Sequence, residues 1–327
     1  MEILKTVTEL TVRDILGGWK VRWGFGRNTC IVKPGIYQLG MPDKESPVLV
    51  TANYKLTFDQ LRKELNGISA WILVLDTKGV NVWCAAGKGT FSDSEIIERI
   101  NSTDLKQLVS HRLLILPQLS APGVKSSEVT RKTGFKIIYG PVYAGDIPEY
   151  LSSGRIKTEK MKIVRFTLAD RLKVIPVELT GTLKPLAVLF IISVFYTAIS
   201  AGGTFSFANA LKDWGVYAGA VISGAFLVPL LLPLIPLRSF ALKGAFAGLL
   251  FALFYSTAGR LDAVETFSAI MIASAISSYL ALNFTGSSTF TSLSGVKREV
   301  KMALPVYVIM LAAGVAGKIF SAIPNLI

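Results

Sequence analysis

Trp71-Ile72-Leu73-Val74-Leu75-Asp76-Thr77-Lys78-Gly79 runs directly into Val80-Asn81-Val82-Trp83-Cys84-Ala85-Ala86-Gly87-Lys88-Gly89-Thr90-Phe91. The first six residues are an apolar run closed by an acid, the pattern of a strand buried on both faces. Thr77-Lys78-Gly79 makes the turn. Ser92-Asp93-Ser94-Glu95 then opens an apolar-periodic segment (Ile96, Ile97, Ile100), so a helix starts there with acids in its first turn. Cys84 therefore lies near a strand end, where open α/β sheets hold their ligands. Ala85, Ala86, Gly87 and Gly89 clear space for a large flat or phosphorylated group, while Lys88 either answers a negative charge or is solvated. The competing reading is a lone thiol buried in a core. By local pattern residues 80–83 continue as strand.

Outward from this stretch, strands alternate with helices. Residues 1–18 have roughly helical spacing and end at Gly17-Gly18. Cys30-Ile31-Val32-Lys33-Pro34-Gly35 reads as a strand into a turn, with Cys30 as core. Residues 48–50, 113–116 and 135–139 are further apolar strands, and residues 58–65 and 94–109 are helical. The alternation predicts an α/β domain with a three-layer sheet. Thr51 and Asn53, Gln118 and Gly123, and Tyr139 and Gly140 all follow strand ends, where such a fold holds a cofactor. Turn chemistry explains each of them equally simply. His111, the sole histidine, sits beside Arg112 and reads as structural.

Asn81-Val82-Trp83-Cys84-Ala85-Ala86-Gly87-Lys88 resembles the cap-helix signature of the mercury-methylating corrinoid proteins, the HgcA family, which are related to the corrinoid iron–sulfur protein large subunit. Residues 48–54, Leu116-Pro117-Gln118-Leu119, Ala121-Pro122-Gly123, Tyr139-Gly140-Pro141-Val142 and Asn283-Phe284-Thr285-Gly286 are similar to that family as well. The resemblance implies a Rossmann-like domain that binds a corrinoid, with Cys84 as the lower axial ligand of its cobalt. It places residues 80–83 on the cap helix, a choice that the weak strand propensity of Ala-Ala supports. It also implies that Thr51, Asn53, Asn81, Val82, Trp83, Ala85, Ala86, Gly87, Lys88, Gln118, Gly123, Tyr139 and Gly140 surround the cofactor. The implied reaction carries a methyl group from cobalt to Hg(II). Implied partners are a ferredoxin-like 4Fe-4S electron donor (HgcB in that family) and a folate-dependent methyltransferase as methyl source.

Composition divides the chain. Residues 184–327 hold nine Lys/Arg and four Asp/Glu, against 26 and 18 in residues 1–183. The mean hydropathy of the whole chain is +0.50, and its nearly charge-free C-terminal part reads as membrane-embedded. The expected organisation is a corrinoid-binding domain over residues 1–175, a linker over 176–184 and an all-α transmembrane domain over 185–327. Five spans are expected near 185–203, 215–237, 243–260, 265–284 and 302–320, two of them short for the ~20 residues a crossing needs. Pro229, Pro233 and Pro236 mark the second as bent or broken. No acid is expected well inside a span, which disfavours an ion-coupled transporter. Lysines and arginines in the second-third and fourth-fifth loops put the N-terminal domain in the cytoplasm and the C-terminus outside. The polar residues 285–294 would then lie near the cytoplasmic face.

The net charge of +13 is thus explained by membrane-flanking loops and a basic surface. No finger spacing or aromatic-and-basic RNA motif points to nucleic acid. Two cysteines without a C-x-x-C cannot build a cluster in this chain, and a disulfide between them is disfavoured in a reducing compartment. The first residues lack the apolar core of a signal peptide. The alternative activities are a membrane-bound methyl carrier of acetyl-CoA or one-carbon metabolism and a non-catalytic anchor or transporter.

Overall fold

A computed structural model of the chain describes residues 2–200, 205–287 and 293–322. It forms two compact units, divided between Arg165 and Phe166.

The first unit is a mixed sheet with helices on both faces. Its strands are β1 (Ile3–Thr6), β2 (Gly35–Leu39), β3 (Val48–Ala52), β4 (Ala70–Leu75), β5 (Leu113–Leu116) and β6 (Lys136–Tyr139), in spatial order β1-β2-β4-β3-β5-β6. β4, β3, β5 and β6 run parallel; β2 is antiparallel to β4, with Gly35 opposite Val74, and β1 runs parallel to β2. Every residue of β3 and β4 is buried, as their unbroken apolar runs require. The helices are α1 (Val12–Arg22), α2 (Lys55–Lys63), α3 (Val82–Lys88), α4 (Asp93–Ser102), α5 (Leu105–Leu108), α6 (Ser126–Thr133) and α7 (Ile147–Ser152). One core layer joins Leu73, Leu75 and Leu116 to Ala85, Phe91 and Ile96; the other joins Ile72, Val74 and Ile115 to Phe58, Leu61 and Tyr150. The three-layer expectation therefore stands.

Two local expectations are corrected. The start of the chain is strand before it is helix: β1 pairs with β2, and that pairing overrides a four-residue spacing signal. The Cys30 run is not a ladder strand either. Ile31 makes only an isolated bridge to Tyr54, and the strand begins at Gly35, after Pro34.

The second unit is helical. α8 (Leu168–Ser200) is continuous through Pro176 and Pro185, so residues 176–184, expected as a linker, are helix. α9 (Phe207–Val221) passes into a π-helical segment (Ile222–Leu227) and ends in the turn α10 (Val228–Leu230) at Pro229. The second span thus starts earlier than expected and breaks where its prolines predicted. α11 (Phe240–Gly259), α12 (Ala263–Asn283) and α13 (Leu293–Ala322) complete the unit. Five helices are long and apolar enough to cross a membrane. Acids occur within four of the five: Asp170 and Glu178 in α8, Asp213 in α9, Glu265 in α12 and Glu299 in α13. Asp213 of α9 pairs with Lys318 of α13 and accepts a hydrogen bond from Ser193 Oγ of α8 at 2.7 Å. Of the polar stretch 285–294, residues 288–292 lie outside the described residues, as does the C-terminus beyond 322.

Candidate functional site

Because β3 and β4 are parallel neighbours, Asn53 after one strand stands beside the turn after the other. Asn53 is 1% exposed. Its Oδ1 accepts the Thr77 and Gly79 amides at 3.0 and 3.1 Å, and its Nδ2 donates to Asp76 Oδ1 at 3.1 Å. Glu95 of α4 accepts the Asp76 amide at 2.8 Å while Arg99 donates to the same Glu95 oxygen. The turn is thus tied from both sides, which fixes where α3 begins.

α3 is seven residues long, too short to persist alone. Asn81 caps it: its Oδ1 accepts the Cys84 amide at 2.9 Å. Gly89 closes it at φ +77°, a left-handed position suited to glycine. The helix sorts its side chains by face. Val82, Ala85 and Ala86 are buried, whereas Trp83, Cys84, Gly87 and Lys88 are exposed. Beneath lies a 3-10 segment, Gln118–Gly123, and the contact is backbone on backbone. A Cβ on Gly123 would stand 2.5 Å from the Phe91 carbonyl oxygen and 2.8 Å from Ala86 Cα. On the outer face, by contrast, a Cβ on Gly87 would meet no atom within 4 Å.

The expected site residues therefore separate into two sets. Trp83, Cys84, Gly87 and Lys88 form one outward surface. Asn53, Asn81, Val82, Ala85, Ala86 and Gly123 build the support beneath it. Thr51 is buried within β3. Gly140 is packed against Ile115 and donates its amide to the Leu116 carbonyl at 2.8 Å. Gln118 and Tyr139 line a separate cleft of about 600 Å³ along β6, with Arg155 and Lys157 across from them. Lys157 Nζ donates to Gln118 Oε1 at 2.6 Å. Sequence reasoning missed both cations, because they follow α7 and are not attached to any strand end.

The two thiols differ. Cys84 is exposed and Cys30 half-buried, and burial pushes the Cys30 thiol up from its ordinary range. His111 is structural, as expected: its Nδ1 accepts the Leu113 amide at 3.3 Å, leaving Nε2 to donate to the Ser46 carbonyl at 2.9 Å. Among the described residues no three His, Cys, Asp or Glu side chains gather to hold a bare metal ion.

Residues 24–151 match the family described as CO dehydrogenase/acetyl-CoA synthase delta subunit. The relatives are subunits of one kind of complex. The acetyl-CoA decarbonylase/synthase complex subunit gamma of Methanopyrus kandleri is 36% identical over 132 residues, covering 39% of this chain and 28% of that protein. Its counterpart in Methanothermobacter thermautotrophicus is 34% identical over 122 residues, or 37% of this chain and 26% of that protein. In Methanocaldococcus jannaschii the identity is 30% over 153 residues, 46% and 30% respectively. The chain spans under a third of the length of these relatives. The matched region holds β2 to β6 and α3, so the thiol-bearing helix lies within the shared part.

Proposed function

We propose that the N-terminal unit binds a corrinoid over the outward face of α3, with Cys84 Sγ as the lower ligand of cobalt. On this reading the chain is a membrane-held, corrinoid-dependent methyltransferase that methylates Hg(II). The observation that carries it is the exposure of Cys84 on a face cleared by Gly87 and bordered by Trp83. Similarity to the acetyl-CoA decarbonylase/synthase subunits supports the corrinoid part, and the eight residues from Asn81 to Lys88 support mercury as acceptor.

The residues fit the group. A corrinoid would bring its metal already held by its own ring, so the single thiol of Cys84 would suffice as the protein's ligand, where a bare ion would need three or four side chains. When bound, the corrinoid supplies cobalt chemistry able to hold and release a methyl group. The protein does the rest. Asn81 fixes the amide of Cys84, and Val82, Ala85 and Ala86 lock the helix onto the sheet, so Sγ is presented without backbone rearrangement. Cys84 would be the residue that holds the metal of a bound corrinoid, and a thiolate there would be a strongly electron-donating partner for the methyl-transfer chemistry that the group supplies. Trp83, exposed beside Cys84, would offer an apolar surface to the ring, and Lys88 lies at the rim. Two cysteines cannot assemble a 4Fe-4S centre in this chain, so reducing equivalents come from a separate ferredoxin-like donor of the HgcB kind. The methyl group comes from a folate-dependent methyltransferase. On this reading the five long apolar helices anchor the chain in the cytoplasmic membrane, and the loop charges support an N-terminal unit inside and a C-terminus outside.

The relatives favour a second reading, a membrane-bound methyl carrier for acetyl-CoA or one-carbon chemistry. The visible spectrum of the purified protein with its corrinoid, wild type against Cys84→Ala, tests the shared part. Cobalt–sulfur ligation predicts a spectrum that shifts in the variant. An unchanged spectrum removes the thiolate from the metal. Methylmercury formation by cells with wild type but not with Cys84→Ala selects the first reading; methyl transfer without it selects the second.

A further inference from the structure

We infer that Arg155, Lys157 and Gln118 form an anion subsite beside the thiol-bearing helix, and that it takes a phosphate ester carried on an apolar ring. Resting on the corrinoid reading, its occupant is the phosphate of the cofactor's nucleotide arm. A free nucleotide is the other source of the same chemistry.

The cleft runs along β6, whose outer edge pairs with no strand among the described residues. Ile137 and Tyr139 give it an apolar wall, and Arg155 and Lys157 give it two positive charges. Neither cation has an acidic partner among the described residues. Lys157 donates only to the neutral Gln118 amide oxygen, and burial, then the nearby Lys162 charge, hold its ammonium below the ordinary lysine range. Such a group is short of a counter-anion. Three acids of this part of the chain are engaged elsewhere, Glu128 with Arg131, Asp146 with Arg165 and Glu159 with Lys162, and the exposed Glu149 forms an ion pair with neither cation. Arg155 is exposed, but its backbone is fixed, with φ +69° and its amide donating to the Tyr150 carbonyl at 2.8 Å.

The position suits one ligand reaching both places. Gln118 opens the 3-10 segment that Gly123 closes, and Gly123 touches Ala86 under the thiol face. At ~2 Å of rise per residue the two ends stand roughly 10 Å apart. A guanidinium and an ammonium around one amide are the donor set that phosphate oxygens take. Both cations lie beyond residue 151, where the match to the family model ends.

The test titrates full-length protein, wild type and Arg155→Gln/Lys157→Gln, with cobalamin, with cobinamide (the same ring without the nucleotide arm) and with AMP. Absorbance follows the corrinoids and calorimetry the nucleotide. If the arm is the occupant, wild type binds cobalamin about tenfold or more tighter than cobinamide, and the double variant brings the two within about twofold by weakening cobalamin alone. If a free nucleotide is the occupant, the corrinoids bind equally and AMP binding falls at least tenfold in the variant. Loss of neither preference overturns the subsite. Failure of both corrinoids to bind overturns the corrinoid reading instead, and the AMP titration still decides the subsite. Thermal melting of the variant within 2 °C of wild type confirms that the fold is intact.

Discussion

The two units use polar groups in opposite ways. In the N-terminal unit the buried polar side chains, Asn53 foremost, hold up a rim on which the thiol of Cys84 and the ring of Trp83 are left exposed. In the helical unit many outward side chains are apolar, with Phe254, Val308 and Ile309 all about two-thirds or more exposed, while four charged groups, Arg171, Asp213, Lys243 and Lys318, are turned inward. There Asp213 and Lys318 link α9 to α13, while Arg171 and Lys243 donate to the carbonyls of Pro229, Leu230 and Leu232 at the broken end of the second span. One unit uses its buried polarity to position a thiol, the other to hold long apolar helices together. Removing an inward charge should therefore cost stability and spare the thiol site.

Lys318→Ala gives the largest expected effect. It strands the Asp213 carboxylate with Ser193 as its remaining side-chain donor, and removing one partner of a buried pair costs ~3–5 kcal/mol. Denaturation of the full-length chain in nanodiscs should show the loss, and Asp213→Ala added to it should restore part of the stability. Alkylation of Cys84 should proceed at the wild-type rate. A Lys318→Ala protein as stable as wild type would mean that the pair is not what binds these helices.

Next in size is Gly123→Ala, aimed at the support rather than the surface. The added methyl group meets backbone atoms of Phe91 and Ala86, which cannot swing aside, and overpacking of this kind costs ~1–3 kcal/mol. The N-terminal unit should lose that stability and corrinoid binding should weaken, because α3 must move. If binding is unchanged, the seating of α3 on the 3-10 segment does not position the thiol.

What was legible in the sequence follows from the same contrast. β3, β4 and β5 are continuous apolar runs, and Ser92 with its acids marks α4, so local pattern suffices for them. β1 and β2 carry no such signal, and their pairing is a long-range fact. α3 is the instructive case. Alternation in 80–83 reads as strand, yet Asn81 at the cap, Ala-Ala in the middle and Gly89 at the left-handed end are helix punctuation that local reading undervalued. The residues of the candidate site could be named, but not sorted, from the sequence. Only the fold shows that Ala86 and Gly123 face inward together while Gly87 faces out. Asp213 was missed as part of a long helix because Lys212 and Asp213 are a charged pair between two uncharged runs and so suggest a loop. Arg155 and Lys157 were missed because nothing in the chain ties them to Gln118, 39 residues away from Lys157.

Asn81→Ala is the smallest effect and the sharpest probe of the rim. Losing an N-cap costs ~1 kcal/mol, little in a domain but much in a seven-residue helix that has no surplus of its own. The freed group is the amide of Cys84 itself. Hydrogen exchange across residues 82–89 should accelerate several-fold while β3 and β4 keep their protection, and the thiol should alkylate with less uniform kinetics. Asn81→Asp, which keeps an acceptor at the same place, should restore protection; Asn81→Leu should not. If exchange in α3 is unaffected by Asn81→Ala, the helix is held by its buried alanines alone, and the asparagine is then free to act on a ligand.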